Sequence, residues 1–376
     1  MRFLNEIKSE NLLNKKVLLR VDFNVPVKNK EIEENYRVKA HKETINYLVD
    51  NGAKVLLVSH ITAIDGFISI IESLGLCLDR TLTLVPLTEL GSIDALFQAS
   101  PVLLLDNVRQ DPREEKNDKE FALDLSKGFD LYINDAFSVS HRSHASVSAI
   151  AKTLPSYGGF LMKKEIENLS KALSEPAEGK VMILGGAKIS TKLPVIKNFL
   201  DKAEKILVGG ALANNFFRAQ GFETGLSVMD DTISADIDSP KIILPSDFVV
   251  TEDISSNGSA RYQDEVSDVK KTEAIVDIGS KTIENFKNII SQSKMVVWNG
   301  PMGIFEISQF SSGTIAISQE VAKSSHSVIG GGDTIAAVDK IGLLDKYSFV
   351  STSGGAMLDF LAGEKLPGLE ALGYYK

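Results

Sequence analysis

Basic side chains lie at or near the ends of the apolar runs in the N-terminal half of this 376-residue chain. They are Arg20, Arg37, His60, Arg109, His141, Arg142 and His144. Taken singly, each arginine could form an ordinary surface ion pair. Guanidinium groups, however, donate paired hydrogen bonds that match carboxylate and phosphate oxygens. Together these residues predict a pocket for a small anionic metabolite, and Asp22 and Asn24, after the first run, would bind its hydroxyl group.

The C-terminal half places glycine and lysine behind its apolar runs instead. Residues 330–334 read Gly-Gly-Gly-Asp-Thr, and such turns bring backbone N–H groups and a helix N-terminus close to phosphate oxygens. Asp333 would then supply an oxygen ligand to Mg²⁺ on a nucleotide. Lys188 and Lys192 share one helix face. We interpret this pair as an anion site rather than a solvated face, because the glycine turn 185–187 precedes it.

The spacing of apolar runs predicts the elements that position these residues. Ten short runs are rich in Val, Ile and Leu without alternation, which is typical of parallel strands buried on both faces. They are 16–21, 54–58, 102–105, 131–133, 181–184, 205–208, 241–243, 295–297, 327–329 and 348–350. Helical patterns separate them at 37–50, 120–127, 192–203, 282–291 and 334–340. We therefore predict two doubly wound α/β domains, divided near 155–159 and followed by a helix at 160–173.

Composition argues against several classes of function. The formal net charge is −9, whereas nucleic-acid-binding proteins usually carry a basic face. The single cysteine, Cys77, can form neither an internal disulfide nor a Cys-rich metal site. No run of 18 apolar residues and no signal-peptide core occur. We therefore expect a cytoplasmic protein that binds neither nucleic acid nor membrane.

Generic nucleotide motifs are missing from the sequence. There is no GxxxxGK[ST] loop, which excludes a P-loop enzyme, and no dinucleotide fingerprint after the first predicted strand. A Rossmann-type dehydrogenase is therefore not supported.

Seven segments resemble the phosphoglycerate kinase family, in the family's order and nearly end to end. The segments are 20–26 (Arg-Val-Asp-Phe-Asn-Val-Pro), 132–137 (Tyr-Ile-Asn-Asp-Ala-Phe) with 141–145 (His-Arg-Ser-His-Ala), 159–165 (Gly-Phe-Leu-Met-Lys-Lys-Glu), 184–188 (Leu-Gly-Gly-Ala-Lys), 298–306 (Trp-Asn-Gly-Pro-Met-Gly-Ile-Phe-Glu), 330–334, and 350–356 (Val-Ser-Thr-Ser-Gly-Gly-Ala) with 366–368 (Leu-Pro-Gly). The set is highly specific to that family.

This resemblance implies a bilobal hinge enzyme with two Rossmann-like doubly wound parallel-sheet domains joined by an interdomain helix. Residues 1–157 would bind 3-phosphoglycerate, with the tail 364–376 packing back on them. Residues 158–363 would hold the interdomain helix and the nucleotide domain. The implied glycolytic reaction is reversible, in-line phosphoryl transfer between 1,3-bisphosphoglycerate and MgADP, giving 3-phosphoglycerate and MgATP on domain closure. A monomer is expected.

The resemblance also assigns roles by position in the matching motifs. The implied substrate-binding residues are Asp22, Asn24, Arg37, His60, Arg109 and Arg142. The implied nucleotide-binding residues are Gly186, Lys188, Lys192, Gly279, Asn299, Pro301, Gly303, Glu306, Gly331, Gly332, Asp333 and Thr334. Glu306 would bind the ribose hydroxyls and Asp333 the Mg²⁺ ion. Arg37 and Lys188, helped by the backbone amides of Gly354 and Gly355, would stabilise the transferring phosphoryl group.

The chain departs from the family pattern at a few positions. Ala63 stands where the family has a substrate-binding arginine, and the region 65–85 looks shortened. Ser353 replaces a glycine of a Thr-Gly-Gly-Gly turn. These departures leave open an alternative: a nucleotide-binding paralogue with weakened kinase activity and an altered substrate site.

Overall fold

The chain divides into two compact units in the computed structural model, which describes residues 1–230, 237–255 and 258–375. Unit 1 comprises Met1–Glu167 and Lys365–Lys376, and unit 2 comprises Asn168–Glu364. The sequence places the domain boundary at 157/158 instead, ten residues before this division. Both units are α/β, and the predicted fold class of two parallel-sheet domains is confirmed.

Unit 1 is built on a six-stranded parallel sheet. Among its described residues, the unit as a whole has eight strands, of which β2 and β3 lie outside this sheet. They are β1 (Lys16–Arg20), β2 (Val27–Lys28), β3 (Glu31–Ile32), β4 (Lys54–Val58), β5 (Thr83–Val85), β6 (Val102–Leu105), β7 (Leu131–Asn134) and β8 (Ser156–Gly158). The sheet order is β5-β6-β4-β1-β7-β8, and β2 and β3 pair separately as an antiparallel hairpin. The sequence prediction missed β5 in the altered region, and it missed β8, where it placed a domain break.

Helices cover both faces of the unit 1 sheet. They are α1 (Tyr36–Ala40), α2 (Lys42–Asp50), α3 (Ile71–Leu78), α4 (Ile93–Ala99), α5 (Lys119–Ser126) and the first half of α6 (Phe160–Ser174). Alternate residues of β1 face two separate apolar cores: Val17 and Leu19 lie in one, and Leu18 in the other. This two-sided burial explains why the strands read as continuous apolar runs rather than alternating ones.

Unit 2 repeats the architecture with a second six-stranded parallel sheet, in the order β11-β10-β9-β15-β16-β17. The strands of the unit are β9 (Lys180–Leu184), β10 (Lys205–Val208), β11 (Ile242–Ile243), β12 (Phe248–Thr251), β13 (Arg261–Gln263), β14 (Ala274–Ile278), β15 (Met295–Asn299), β16 (Ser327–Gly330) and β17 (Phe349–Val350). Its helices are α7 (Ile189–Phe199), α8 (Gly210–Ala219), α9 (Ser280–Ser291), α10 (Ser312–Val321), α11 (Gly332–Lys340) and α12 (Gly355–Leu361).

A small antiparallel sheet in unit 2 was not predicted from the sequence. Its order is β13-β12-β14, with a register irregularity between Val249 and Val250. Val249 and Val276 contribute to a separate apolar cluster that includes Phe310. This sheet forms one wall of a pocket described below.

The C-terminal tail packs within unit 1. In the first turn of helix α13 (Pro367–Ala371), the Gly368 N–H donates a hydrogen bond to the Ser140 carbonyl at 2.8 Å. The Gly373 carbonyl accepts a hydrogen bond from the N-terminal amine of Met1 at 2.6 Å. Among the helices described, none is both long and apolar enough to cross a membrane.

Candidate active site

The carboxyl ends of neighbouring strands place the predicted substrate residues at one edge of the unit 1 sheet. β1 pairs in parallel with β4 and with β7, and its last residue, Arg20, lies opposite Val58 and Asn134. The segments that follow these three strands therefore leave the sheet side by side, where ligands of open parallel sheets bind.

Asp22 forms the centre of a hydrogen-bonded turn after β1. One carboxylate oxygen accepts the Asn24 N–H at 3.0 Å, and the other accepts the Ser138 hydroxyl. Arg37 reaches both residues: its Nε lies 3.8 Å from the Asp22 Oδ2, and its Nη1 donates to the Asn24 carbonyl. Burial alone would raise the pKa of Asp22, but Arg37 and these hydrogen bonds hold it well below its usual range. Asp22 is therefore an ionised acceptor that orients Arg37.

The loop carrying Ala63 is fastened to Asn24. The side-chain oxygen of Asn24 accepts both the N–H and the hydroxyl of Thr62, each at 2.9 Å. The amide nitrogen of Asn24 is then the atom that a ligand hydroxyl would meet. Ala63 itself is exposed, so a longer side chain at this position would extend from the rim of the site.

His60 is buried beneath this loop and is neutral. Its Nδ1 lies 3.2 Å from the Arg20 Nη2. Burial and the positive charge of Arg20 lower the pKa of His60 to about 2, with Arg109 and Arg142 adding to the effect and Asp22 opposing it. His60 can therefore offer a ligand a neutral hydrogen-bonding group.

Arg109 and Arg142 complete the basic cluster of unit 1. The Nε of Arg109 lies 3.3 Å from the Glu115 carboxylate. Its Nη2 is buried and has no hydrogen-bond partner among the described residues. Burial and the neighbouring Arg142 lower the pKa of Arg109, and burial followed by both arginines lowers the pKa of His144 to about 4. A buried cationic donor without a partner fits an anionic ligand oxygen.

Strand register assembles the second site at the edge of the unit 2 sheet. Asn299, at the end of β15, lies opposite Leu184 of β9 and Gly330 of β16. The segments that follow these strands are joined by backbone bonds: the Gly185 N–H donates to the Asn299 carbonyl at 3.0 Å and the Gly186 N–H to the Pro301 carbonyl at 2.8 Å. The predicted glycine turns therefore lie together.

Two glycines at this edge cannot be replaced without strain. Gly331 precedes α11 with a φ of +98°, and a Cβ there would lie 3.0 Å from the Asn299 Nδ2. Gly210 has a φ of +57°, and its Cβ would lie 2.6 Å from the Gly186 nitrogen. Only glycine adopts such angles readily. The Asn299 Nδ2 is buried without a hydrogen-bond partner in the described part of the chain, as expected of a donor that awaits a ligand.

Lys188 and Lys192 stand at the start of α7. Lys188 is its N-terminal capping residue. The Lys192 Nζ donates to the Lys188 carbonyl at 3.5 Å. Burial lowers the pKa of Lys192 to about 8, Asp333 opposes this effect and Lys188 adds to it. An incoming phosphate would relieve the repulsion between the two ammonium groups, which supports interpreting the pair as an anion site.

Two helix N-termini flank these lysines. Thr334, in the first turn of α11, accepts the Gly300 N–H at 2.7 Å and so ties α11 to the turn after β15. A Cβ on Gly354, which precedes α12, would lie 3.4 Å from the Gly331 Cα, so the two helix starts are adjacent. Ser353 has a structural role here, because its Oγ accepts the N–H of Met357, in the first turn of α12, at 3.1 Å.

An apolar pocket of about 200 Å³ opens beside the glycine turns, within unit 2. The antiparallel sheet supplies one wall with Phe248, Val276 and Ile278. Five of the predicted nucleotide residues also line it: Gly186, Pro301, Gly303, Glu306 and Asp333. An apolar slot with a few polar groups at its mouth suits a flat aromatic base. Neither the wall nor its strands could be identified from the sequence.

Asp277 is a further pocket residue that sequence reasoning missed. It lies in β14, and its carboxylate accepts the N–H groups of Ile278 at 2.9 Å and Gly313 at 2.8 Å. Burial raises its pKa to about 7, and these two bonds oppose the shift. A Cβ on Gly303 would lie 2.3 Å from the Asp277 Oδ1, just as one on Gly279 would lie 2.3 Å from the Asp247 Oδ2. Both predicted glycines therefore pack against buried carboxylates.

Comparison with known proteins agrees with this geometry. The family model of phosphoglycerate kinase matches residues 7–364. The phosphoglycerate kinase of Herpetosiphon aurantiacus is 41% identical over 95% of this chain and 96% of its own length. That of Thermosipho africanus is 42% identical over 97% of each chain.

Solved structures give the same result. A phosphoglycerate kinase from Pyrococcus horikoshii superposes with a TM-score of 0.86 at 33% identity, covering 99% of this chain and 98% of its own. The enzyme from Coxiella burnetii gives 0.81 at 33% identity with the same coverage. The chain therefore belongs to the phosphoglycerate kinase family.

Proposed function

We propose that this chain transfers a phosphoryl group reversibly between 1,3-bisphosphoglycerate and MgADP, giving 3-phosphoglycerate and MgATP. One observation carries the proposal. A cluster of arginine and histidine lies at the carboxyl edge of the unit 1 sheet, whereas glycine turns with two lysines lie at the carboxyl edge of the unit 2 sheet. Two different anions can be held by such a pair of sites. Closure of the two units during turnover stays a prediction from the family resemblance.

The substrate would be bound by the unit 1 cluster. Arg109, whose Nη2 has no partner among the residues that the structure describes, and Arg142 would bind the phosphate group with charge-assisted bonds. Arg37, held by Asp22, would bind the oxygens at the reacting end. Asn24 and Asp22 would contact the hydroxyl group. Electrostatic effects link His60 with Asp22, Arg109 and Arg142, and they link Arg37 with Asp22, which supports a single site.

The nucleotide would be bound by the unit 2 site. Its base would occupy the apolar pocket, and Glu306 at the pocket mouth would accept hydrogen bonds from the ribose. Lys192 and the start of α11 would meet the phosphates. Asp333 is exposed in the first turn of α11. One such carboxylate is enough for Mg²⁺ that arrives bound to nucleotide phosphates, because this ion keeps several waters.

Phosphoryl transfer needs charge stabilisation and alignment rather than a protein nucleophile. Lys188, at the start of α7, and Arg37 would neutralise charge on the transferring group from the nucleotide and substrate sides. The backbone N–H groups of Gly354 and Gly355 would add neutral donors that strengthen as charge develops.

A coupled assay with 3-phosphoglycerate and MgATP tests the proposal. We expect turnover in the wild type and a loss of about 100-fold in kcat for Arg37→Ala, by analogy with the removal of single transition-state donors. Lys39→Ala removes an exposed charge from the same helix and should leave kcat unchanged.

The second candidate function is a paralogue with weakened kinase activity. The single observation in its favour is the exposed Ala63 at the rim of the substrate cluster. ATP binding without detectable turnover in the same assay would support it and refute the proposed reaction.

A further inference from the structure

Arg20 is a buried arginine with no role in the transfer proposed above. It ends β1 and is 1% exposed. All three nitrogens of its guanidinium make contacts with neighbouring groups. Nε donates to the Ser146 Oγ at 2.9 Å, and Nη1 donates to the Val21 and Val58 carbonyls. Nη2 contacts the His60 Nδ1 at 3.2 Å. Such a group is rigid, because rotating it would break several buried bonds.

The contact with His60 has only one possible direction. A guanidinium carries donors and no acceptor, and it does not deprotonate in proteins. The His60 Nδ1 must therefore accept, so it carries no proton. The single proton of the neutral ring is then on Nε2. Burial of the ring and the positive charges of Arg20, Arg109 and Arg142 also disfavour the imidazolium form and hold the pKa of His60 low, with Asp22 opposing them.

The opposite end of Arg20 is anchored by a buried carboxylate. Ser146 accepts from Arg20 through its Oγ, and the same hydroxyl donates to the Glu114 Oε1 at 2.6 Å. The Ser146 N–H donates to the Glu114 Oε2 at 2.8 Å. Glu114 is 0% exposed, and the nearby Arg20 opposes the rise that burial imposes on its pKa. His60, Arg20, Ser146 and Glu114 therefore form one chain of hydrogen bonds. Arg20 donates in both directions along it, to His60 on one side and to Ser146, which in turn donates to Glu114, on the other.

We propose that Arg20 is a positioning residue that holds His60 as the neutral Nε2–H tautomer, so that His60 presents a hydrogen-bond donor to an anionic oxygen of the substrate. The other neutral tautomer would present a lone pair there and repel the same oxygen. The substrate contact rests on the proposed function, whereas the tautomer is a property of the protein alone.

The tautomer can be measured directly in the wild type. Long-range ¹H–¹⁵N correlation spectra of the labelled protein distinguish the two imidazole nitrogens, and the His60 signal is identified by its loss in His60→Gln. We expect the Nε2–H form from about pH 5 to about pH 8, where an unperturbed histidine would titrate. An Nδ1–H form, or a titration midpoint near 6.5, would overturn the proposal. If the Nε2–H form is found but 3-phosphoglycerate leaves its signal unmoved, the substrate site is wrong and the pairing with Arg20 stands.

A double-mutant cycle tests whether Arg20 acts through His60. Arg20→Met, which removes every hydrogen-bond donor from this side chain, should raise the KM for 3-phosphoglycerate about tenfold, the loss expected for one charge-assisted hydrogen bond, and leave the KM for MgATP unchanged. In the His60→Gln background, the same change should have no further effect on the KM. Equal effects in both backgrounds would refute action through His60. Arg80→Met, which alters an arginine bonded to Asn46 and Asp50 away from the cluster, is the matched control.

Discussion

The buried carboxylate of Asp277 should make the stability of unit 2 fall as pH rises toward neutrality. Its pKa is raised from 3.8 to about 7 in the folded protein. Between these values the folded state binds a proton that the unfolded state does not, which stabilises the fold. This contribution is fully present below pH 3.8 and is lost as pH rises through about 7. The linkage relation gives a loss of about 2–3 kcal/mol between about pH 5 and about pH 8.

Asp277→Asn isolates this effect, because the amide has the same shape and does not titrate. The variant loses one acceptor for the Ile278 or Gly313 N–H, which lowers its stability by an amount that does not depend on pH. The informative quantity is therefore the difference in unfolding free energy between wild type and variant at each pH. That difference should shift by about 2–3 kcal/mol in favour of the variant from about pH 5 to about pH 8.

Urea unfolding followed by tryptophan fluorescence provides the assay. Trp298 is the only tryptophan of the chain and is fully buried in β15, so its emission reports on unit 2. Asp345→Asn, which removes an exposed carboxylate from the same unit, is the control and should follow the wild type. A difference between wild type and Asp277→Asn that stays constant with pH would refute the reasoning.

Three further predictions concern the site and its supports. Lys188→Ala should lower kcat in the coupled assay by about 100-fold, whereas Lys197→Ala, which removes an exposed lysine from the same helix, should not. Ala63→Arg should lower the KM for 3-phosphoglycerate about tenfold by adding a charge-assisted contact at the rim; an unchanged KM would mean that this position does not face the substrate. Ser353→Gly should reduce the unfolding free energy of unit 2 by about 1 kcal/mol, measured by urea unfolding, because it removes the hydrogen bond from the Met357 N–H to the serine hydroxyl.

The long parallel strands were predictable because their signal is local. A strand such as β6, which is Val-Leu-Leu-Leu and is buried at every residue, must be apolar throughout, and the run is visible without knowledge of its neighbours. β5 is half-buried at two of its three positions, so its composition resembles that of a loop. β12, β13 and β14 pair across segments of different length, and nothing in any one of them indicates the partner strand.

The site residues likewise divide into those that a local sequence pattern indicates and those that depend on distant parts of the chain. The rule that ligands bind beyond the carboxyl ends of parallel strands placed His60 and Asn299 correctly at their sheet edges. It could not show that Arg20 is buried, or that Arg109 keeps a donor with no partner in the described part of the chain. That distinction depends on Ser146 and Glu114, which lie more than 90 residues further along the chain than Arg20. The apolar wall of the nucleotide pocket was missed because the sequence did not predict the antiparallel strands that form it.

The position of Ala63 separates two properties of the substrate site. A side chain at an exposed rim position can add to binding, but it shares no hydrogen bond with the buried chain from Glu114 to His60 that fixes donor direction. The orientation of the bound substrate then depends on the buried groups, whereas the affinity of the protein for the substrate depends partly on the side chain at position 63. Ala63→Arg should therefore change the KM for 3-phosphoglycerate with little change in kcat, because a contact made equally in the ground and transition states alters KM alone. A large gain in kcat would show that the rim takes part in alignment.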